Sequence, residues 1–306
     1  MAWDGAQKQD AIIAESVRNT TPSTPTFLLT PAMTIGGRPD RPQVRARSRQ
    51  AHRSAVNLFQ GLTSFPKTID MDLAYEVSTQ LLLSSVFMGA WSSDVVKFGS
   101  AMQPFTLEEK YGGAAIYRRT TGCICDSLQM SARLGDAVRL NFSLKALGES
   151  TATAAIASST YTAIAGGKPF TPANFVINDA FGVSAPKVQA IDLTFRNNSA
   201  DLYAFGSNDP DDTSLGEVDV SGTISLRFTA LAQYTAFLNS ASGALDVTMG
   251  HTTAEKYQLL LPNACAYNPD IIDPGSTGPH TVTVEVMGKY DAATENTVAK
   301  LTRAVA

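Results

Sequence analysis

The chain has 306 residues, of which 44% are apolar and 17% are charged, and its formal net charge is −4. This length buries a proper core in one large or two ordinary domains, and the composition is that of a globular protein with few surface charges. The first residues lack the basic and apolar regions of a secretory signal, and the longest apolar run, residues 81–91, is too short and too interrupted to cross a bilayer. The odd number of cysteines, three, favours folding in the reduced cytoplasm.

The two halves of the chain differ in charge. Residues 1–153 carry 16 Lys and Arg against 13 Asp and Glu, and residues 154–306 carry 8 against 15, so the halves have formal charges of +3 and −7. Opposite charges on two halves suit head-to-tail contacts between copies of one chain.

The first 35 residues are predicted to form an N-terminal arm. It contains a helix-compatible stretch at residues 7–17 and an extended Thr/Pro-rich segment at residues 20–25. Shortly after it, Arg45, Arg47 and Arg49 share one face of a predicted strand. Two functions remain open for this basic strand, phosphate binding or an ion-paired contact between subunits. The scarcity of nearby aromatic residues favours the subunit contact.

A strand followed by a helix is predicted twice, about 160 residues apart. In the first half, apolar residues alternate along residues 67–76, and a helix-spaced apolar run follows and ends at Gly89. In the second half, residues 216–228 alternate in the same way, and Thr229 is placed to cap a helix over residues 230–238. Each helix is followed by further strands. A chain built from two copies of one β-rich module is typical of an assembly rather than a catalyst.

The remaining segments complete this organisation. A hairpin is predicted at residues 127–146, around a turn at Gly135. Residues 149–186 are rich in small and turn-forming residues and mark a linker or long loop between modules at residues 36–148 and 187–306. The absence of βαβ alternation predicts a mainly β fold of two tandem antiparallel sandwiches or barrels, each flanked by one helix.

The sequence contains no recognisable catalytic constellation. The three histidines, His52, His251 and His280, lie apart from any nucleophile or metal-ligand pair. Cys123 and Cys125 fall on one strand face, but no second pair completes a metal site. The acidic loop with Asp209, Asp211 and Asp212 lacks the downstream Glu of a calcium loop. We therefore predict a protein that is not an enzyme and needs no cofactor.

Five local patterns, taken in order, resemble the major tail tube proteins of long, non-contractile phage tails. They are the Arg-rich strand, the first strand and helix, the strand pair after Thr121, the two strands joined by a turn at Asn197 and Asn198, and the stretch before the last β region. These patterns occupy residues 44–50, 69–91, 121–148, 191–206 and 260–263.

The resemblance implies a structural virion protein that is assembled in the host cytoplasm and found in the virion tail. Subunits of such proteins join their strands into a barrel around a lumen, and the rings stack into a tube. The implied partners are further copies of the chain and other tail proteins, such as tape measure and terminator proteins. DNA passes through without specific binding, and nothing inserts into a membrane. If each half is one module, a ring of six modules needs three chains, a trimer with pseudo-sixfold symmetry.

The resemblance also assigns residues. Because tube lumens are typically acidic, Asp70, Asp72, Asp192 and Glu285 are the candidates to face the lumen. The strand with Arg45, Arg47 and Arg49 is expected to contact acids of another subunit, with Asp209, Asp211 and Asp212 as candidates. The alternative function, from another class, is a capsid decoration or tail-associated adhesion protein, which shares the β-rich fold but does not need to polymerise.

Overall fold

The computed structural model of the chain describes residues 8–45, 57–112, 116–183, 186–229, 231–251, 254–273, 275 and 278–304. Strands dominate these residues. In chain order they are β1 (Gln9–Ala14), β2 (Thr26–Leu29), β3 (Ala32–Gly36), β4 (Gln43–Arg45), β5 (Leu58–Gln60), β6 (Lys67–Asp72), β7 (Val95–Lys97), β8 (Phe105–Tyr111), β9 (Ile116–Arg133), β10 (Arg139–Lys145), β11 (Gly148–Ala152), β12 (Thr160–Thr162), β13 (Val176–Ala180), β14 (Val188–Arg196), β15 (Ala200–Leu202), β16 (Asp212–Ser214), β17 (Asp219–Arg227), β18 (Ala241–Gly250), β19 (Lys256–Ile272), β20 (Thr281–Gly288) and β21 (Lys300–Arg303). The helices are α1 (Val77–Phe87) and α2 (Leu231–Leu238), and a 3-10 turn spans Pro172–Asn174. The prediction of a mainly β chain with two helices is confirmed.

Eight strands form one antiparallel sheet, which we call the long sheet. Their order is β3, β6, β10, β9, β14, β17, β20 and β19. The strands β9 and β19 have 18 and 17 residues, so each also extends beyond this sheet. The first part of β9 pairs with β8 and β11, and the first part of β19 pairs with β18 and β21. Strands β1, β2 and β12 extend the group around β8, whereas β13 and β7 border the group around β19.

Alternating side chains give the long sheet one apolar and one polar face. The apolar residues, such as Ile69 on β6, Phe142 on β10 and Ile224 on β17, are fully buried in one core. Helix α1 packs Leu82 and Val86 into the same core. The core contains residues of both halves of the chain, so it holds the halves together. The polar side chains stay on the opposite side of the sheet.

The order of strand pairing is the same in both halves. In the first half β3, β6, β10 and β9 are neighbours, and in the second half β14, β17, β20 and β19 are neighbours in the same way. One helix follows the second strand of each set. Even an irregularity recurs, because β3 shifts register between Ala32 and Thr34, and β14 shifts between Val188 and Ala190. The pairing order therefore recurs in the two halves, although the residues differ.

The division into two tandem modules stays a prediction. Strand β9 pairs with β14 from Arg133 to Ser127, and this ladder joins the halves through the middle of the long sheet. Within the described ranges the sheet does not close into a barrel, because β3 pairs only with β6 and the last residues of β19 pair only with β20. The single chain is thus an open sheet with two free ends.

The helix predicted near the N-terminus is wrong. Gln9–Ala14 forms strand β1, which lies between β2 and β8. Ile12 is fully buried opposite Leu107 in this ladder. A helical spacing over so few residues is a weak signal, and the neighbouring strands offer the β-branched Ile12 and Ile13 a paired, packed environment. Part of the predicted arm is therefore built into the sheet.

Both predicted helices are present, and the end of α1 has a clear cause. Met88 adopts a left-handed conformation, with φ 45° and ψ 44°, and its N–H donates to the carbonyl of Ser84. The neighbouring Gly89, predicted as the stop, is needed for close packing, since a Cβ there would lie 2.7 Å from the carbonyl oxygen of Lys97.

Candidate assembly surfaces

The four acidic residues predicted to face a lumen all lie on the polar face of the long sheet. Directly opposed residues on neighbouring strands point to the same side of a sheet. One row of opposed residues crosses seven strands: Asp72, Arg139, Ser131, Asp192, Thr223, Glu285 and Tyr267. A second row crosses six strands: Asp70, Asn141, Gln129, Thr194, Ser221 and Met287. The fold therefore collects acids from both halves onto one surface.

Arginines share this polar face, and sequence reasoning missed them. They are Arg133 on β9, Arg139 on β10, Arg196 on β14 and Arg227 on β17, and all four are exposed. Their position follows from the same alternation that identified the acids, so the period of two along these strands could have found them. The polar face carries charges of both signs among many Ser and Thr hydroxyls.

The charged groups on the polar face are held by local contacts. Arg133 lies 3.3 Å from the carboxylate of Asp192, and the amide of Asn141 donates to Asp70 on the neighbouring strand. Asn268 donates to Glu285 at 3.3 Å. Exposed pairs of this kind contribute little to stability. Their effect is to fix the directions of the charges on an otherwise neutral surface.

A buried ion cluster lies at the start of β6. The side chain of Lys67 is fully buried and contacts Glu149 at 2.6 Å and Glu109 at 3.4 Å. Glu109, also fully buried, accepts from Arg118 and lies 3.1 Å from Lys8. Burial alone raises the pKa of Glu109, but the charges of Lys67 and Arg118 outweigh it and hold this pKa below its usual value. The cluster joins β6, β8, β9 and β11, and no local sequence pattern predicts that Lys67 is buried.

The basic strand forms one side of a hairpin that stands apart from the long sheet. Arg45 is exposed on β4, which pairs with β5 and forms a two-stranded sheet. Arg47 and Arg49 lie outside the described residues. Leu58 and Phe59 on β5 are 62% and 54% exposed. An isolated two-stranded hairpin is marginally stable, and its exposed apolar side chains are typical of a surface that another molecule covers.

The acidic loop lies at the base of this hairpin. The N–H of Thr63 donates to the carbonyl of Asn208, and the hydroxyl of Tyr203 donates to the carbonyl of Thr63. Asp209 and Asp211 are exposed in the loop. Asp212 instead pairs with Arg18 of the same chain at 2.6 Å. The three acids therefore do not act as one group, since Asp212 already has a partner inside the chain.

Cys123 and Cys125 have structural surroundings. Both are buried, and their Sγ atoms contact the carbonyls of Thr120 and Leu82. Burial raises the pKa of the Cys125 thiol to about 12, so it stays protonated at neutral pH. No group of three or more metal-binding side chains occurs in the described part of the chain.

The fold and these surfaces define a class of protein, a β-rich component with free sheet edges, a polar face of mixed charge and an exposed hairpin, suited to association. A family model described as phage tail tube protein matches residues 5–294, so the chain belongs to the phage tail tube protein family. The family is structural, which makes the chain a component of the virion tail. No curated protein matches the sequence. Among the described residues, no helix is long and apolar enough to span a membrane.

Proposed function

We propose that the chain assembles by itself, without a cofactor, into stacked rings that form a hollow tail tube. The observation that carries the proposal is the long sheet, whose eight strands end in free edges at β3 and along the last residues of β19, since β18 pairs with β19 only as far as Ala266. Unpaired strand edges expose backbone donors and acceptors, and closing a ring of sheets removes them. A ring of copies would therefore satisfy the edges that one chain leaves open.

The ring is proposed to contain three chains. Three copies of eight strands supply 24 strands, and a spacing of about 4.8 Å with a tilt of about 40° gives a backbone diameter of about 50 Å. Six chains would double the strand number and the width, far more than a duplex needs. The repeated pairing order supports a pseudo-sixfold arrangement, because each half offers four neighbouring strands.

The polar face is proposed to line the channel through which DNA leaves the capsid. Asp70, Asp72, Asp192 and Glu285 would face the lumen and repel phosphates. Arginines on the same face limit that repulsion, and the neutral hydroxyls between them offer DNA no stacking platform or deep groove. Such a lining favours sliding over binding.

The hairpin of β4 and β5, here called the basic hairpin, is proposed as a contact between subunits or rings. Arg45, with Arg47 and Arg49 in the sequence beyond it, would face acids of another copy, of which Asp209 and Asp211 are exposed. Tape measure and terminator proteins are the proposed partners at the inside and end of the tube, and assembly is proposed to occur in the host cytoplasm.

Electron microscopy and sedimentation of the purified chain test this function. We expect tubes or stacked rings. Discrete small oligomers would favour a decoration or adhesion protein, and monomers across a wide range of concentration and salt would contradict the proposal. Substituting Arg45, Arg47 and Arg49 together by Ala should impair assembly and leave the monomer folded. Normal tubes from this variant would show that the basic hairpin is not a contact.

A further inference from the structure

The junction between the two halves is a sealed strand pair. Strand β14 runs antiparallel to the end of β9, with Leu193 opposite Met130 and Thr194 opposite Gln129. Met130 is only 6% exposed, with β10 and β14 on its two sides and the core packed against it. This junction shows how the last strand of one four-stranded set meets the first strand of the next.

Because the same pairing order occurs in both halves, residues of the free strand β3 can be matched with residues of β14, and residues at the end of β19 with residues of β9. On the β3 side, the shared register shift makes Thr34, Ile35 and Gly36 the counterparts of Ala190, Ile191 and Asp192. On the β19 side, the ladder with β20 ends at Ile272 as the ladder between β9 and β10 ends at Ser131. Three residues of β19 thereby correspond to Gln129, Met130 and Ser131, namely Asp270, Ile271 and Ile272.

These edges lack the cover that their counterparts have. Ile271 is 40% exposed and Ile272 is 49% exposed, although Ile271 lies on the apolar side opposite the buried Val282. Its counterpart Met130 is buried in the core and has β14 beside it. No strand of the described chain lies on that side of Ile271, so its exposure marks a missing neighbour.

We propose that β3 of one copy pairs antiparallel with the end of β19 of the next copy, in the register of the β9 and β14 junction. Carried two residues past the end of β3 and one residue past the end of β19, this register puts Ile35 opposite Asp273, Gly36 opposite Ile272, Gly37 opposite Ile271 and Arg38 opposite Asp270. Gly37 has a φ of 103° in the single chain, so pairing there requires it to become extended. The inference rests on the proposed ring and adds the two strands, their direction and their register.

Side-chain size and charge fit this register. The two exposed isoleucines fall opposite Gly36 and Gly37, which have no side chains to collide with them. Arg38 and Asp270 are both exposed and carry opposite charges. A cross-strand pair of opposite charges is favourable. A shift of the register by one residue would turn one of the two strands over and put Arg38 and Asp270 on opposite faces of the sheet.

Cross-linking tests the register. In a chain with Cys265→Ser, to remove the partly exposed thiol, Arg38→Cys combined with Asp270→Cys should form disulfides between chains of assembled particles after mild oxidation. Covalent species up to three chains are expected. Mixing chains that carry only one of the two substitutions should give covalent dimers and nothing larger. The matched control is Thr194→Cys with Gln129→Cys, the counterpart pair, which should close within one chain.

Charge reversal gives a second, independent result. Arg38→Asp and Asp270→Arg should each reduce the yield of assembled particles several-fold, and the double variant should restore it. Asp219→Arg with Arg38→Asp is the control, and it should not restore assembly.

Assembled particles with no 38–270 cross-link, despite closure of the control pair, overturn the junction but leave the tube proposal standing. If the cysteine variant does not assemble, the charge-reversed double variant decides the question. The proposed junction is wrong if that double variant fails to restore assembly. A wild-type chain that never assembles contradicts the proposed function itself.

Discussion

The two halves of the chain share a backbone plan and differ in what fills it. Lys67 on β6 and Gly222 on β17 are counterparts. Each lies four residues before the residue at which the ladder with β3 or β14 begins, since Met71 opposes Ala32 and Leu226 opposes Val188. Lys67 reaches into a buried ion cluster, whereas Gly222 touches the next strand so closely that a Cβ would lie 2.1 Å from the carbonyl oxygen of Asp192. Strand pairing depends on backbone groups, so it can repeat while side chains diverge. Four predictions use this difference.

Breaking the ion cluster of the first half should have the largest effect. Lys67→Ala leaves Glu149 and part of the charge of Glu109 without their buried partner, which should cost about 3–5 kcal/mol in the free energy of unfolding. Urea denaturation measures this cost as a lower midpoint with an unchanged slope. Lys67→Met combined with Glu109→Gln, which removes both charges, should recover part of the loss. A change of less than about 1 kcal/mol for Lys67→Ala would show that the cluster is replaceable by water.

Counterparts across the repeat should respond differently to the same truncation. Met130→Ala opens a cavity in a covered core and should cost about 2–5 kcal/mol. Ile271→Ala, at the free edge, should cost the monomer under about 1 kcal/mol but should lower the yield of assembled particles. Denaturation of the monomer and sedimentation of the assembly separate the two effects. Equal costs in the monomer would contradict the claim that the β19 edge is uncovered.

The close backbone contact of the second half should tolerate no added carbon. Gly222→Ala pushes against the carbonyl of Asp192 and the Cα of Leu193, and should destabilise the chain by about 1–3 kcal/mol. Thr223→Ala, one residue along on the polar face, is the control and should change stability by less than about 0.5 kcal/mol. Thermal unfolding of both variants measures the difference, and an unaffected Gly222→Ala chain would refute the tight contact.

Acid should weaken the first half through Glu109. Its pKa is lower in the folded chain than the ordinary 4.5, so its contribution to stability is fully present above about pH 4.5 and is lost as the pH falls through the lower, folded pKa. Stability measured between pH 7 and pH 3 should therefore fall more steeply for the wild type than for the variant with Lys67→Met and Glu109→Gln. Parallel curves would assign the acid sensitivity to other carboxylates.

The sequence predicted the parts of the fold that have strong local signals. Alternation marked the strands around Ile69 and Phe142, and helical spacing marked both helices. It could not predict β1, whose few residues pair with strands far along the chain, nor the burial of Lys67, which depends on acids contributed by β8 and β11. Such features need the tertiary arrangement.

The candidate surfaces were predicted unevenly for a similar reason. Asp70 and Glu285 could be placed on strands, but their meeting on one face depends on the registers of five intervening ladders. Arg139 and Arg133 were not predicted, because the prediction considered only the acidic residues and not the basic ones at the same alternating positions. A search of all residues that share the phase of the acids would have found them.

The number of chains around the tube tests the central claim most directly. Cryo-electron microscopy of tubes assembled from the purified chain should show three chains per ring, with alternating first and second halves around a lumen of near-sixfold appearance. Six identical chains around the lumen, each contributing the whole long sheet, would contradict the account in which each half occupies one of six positions.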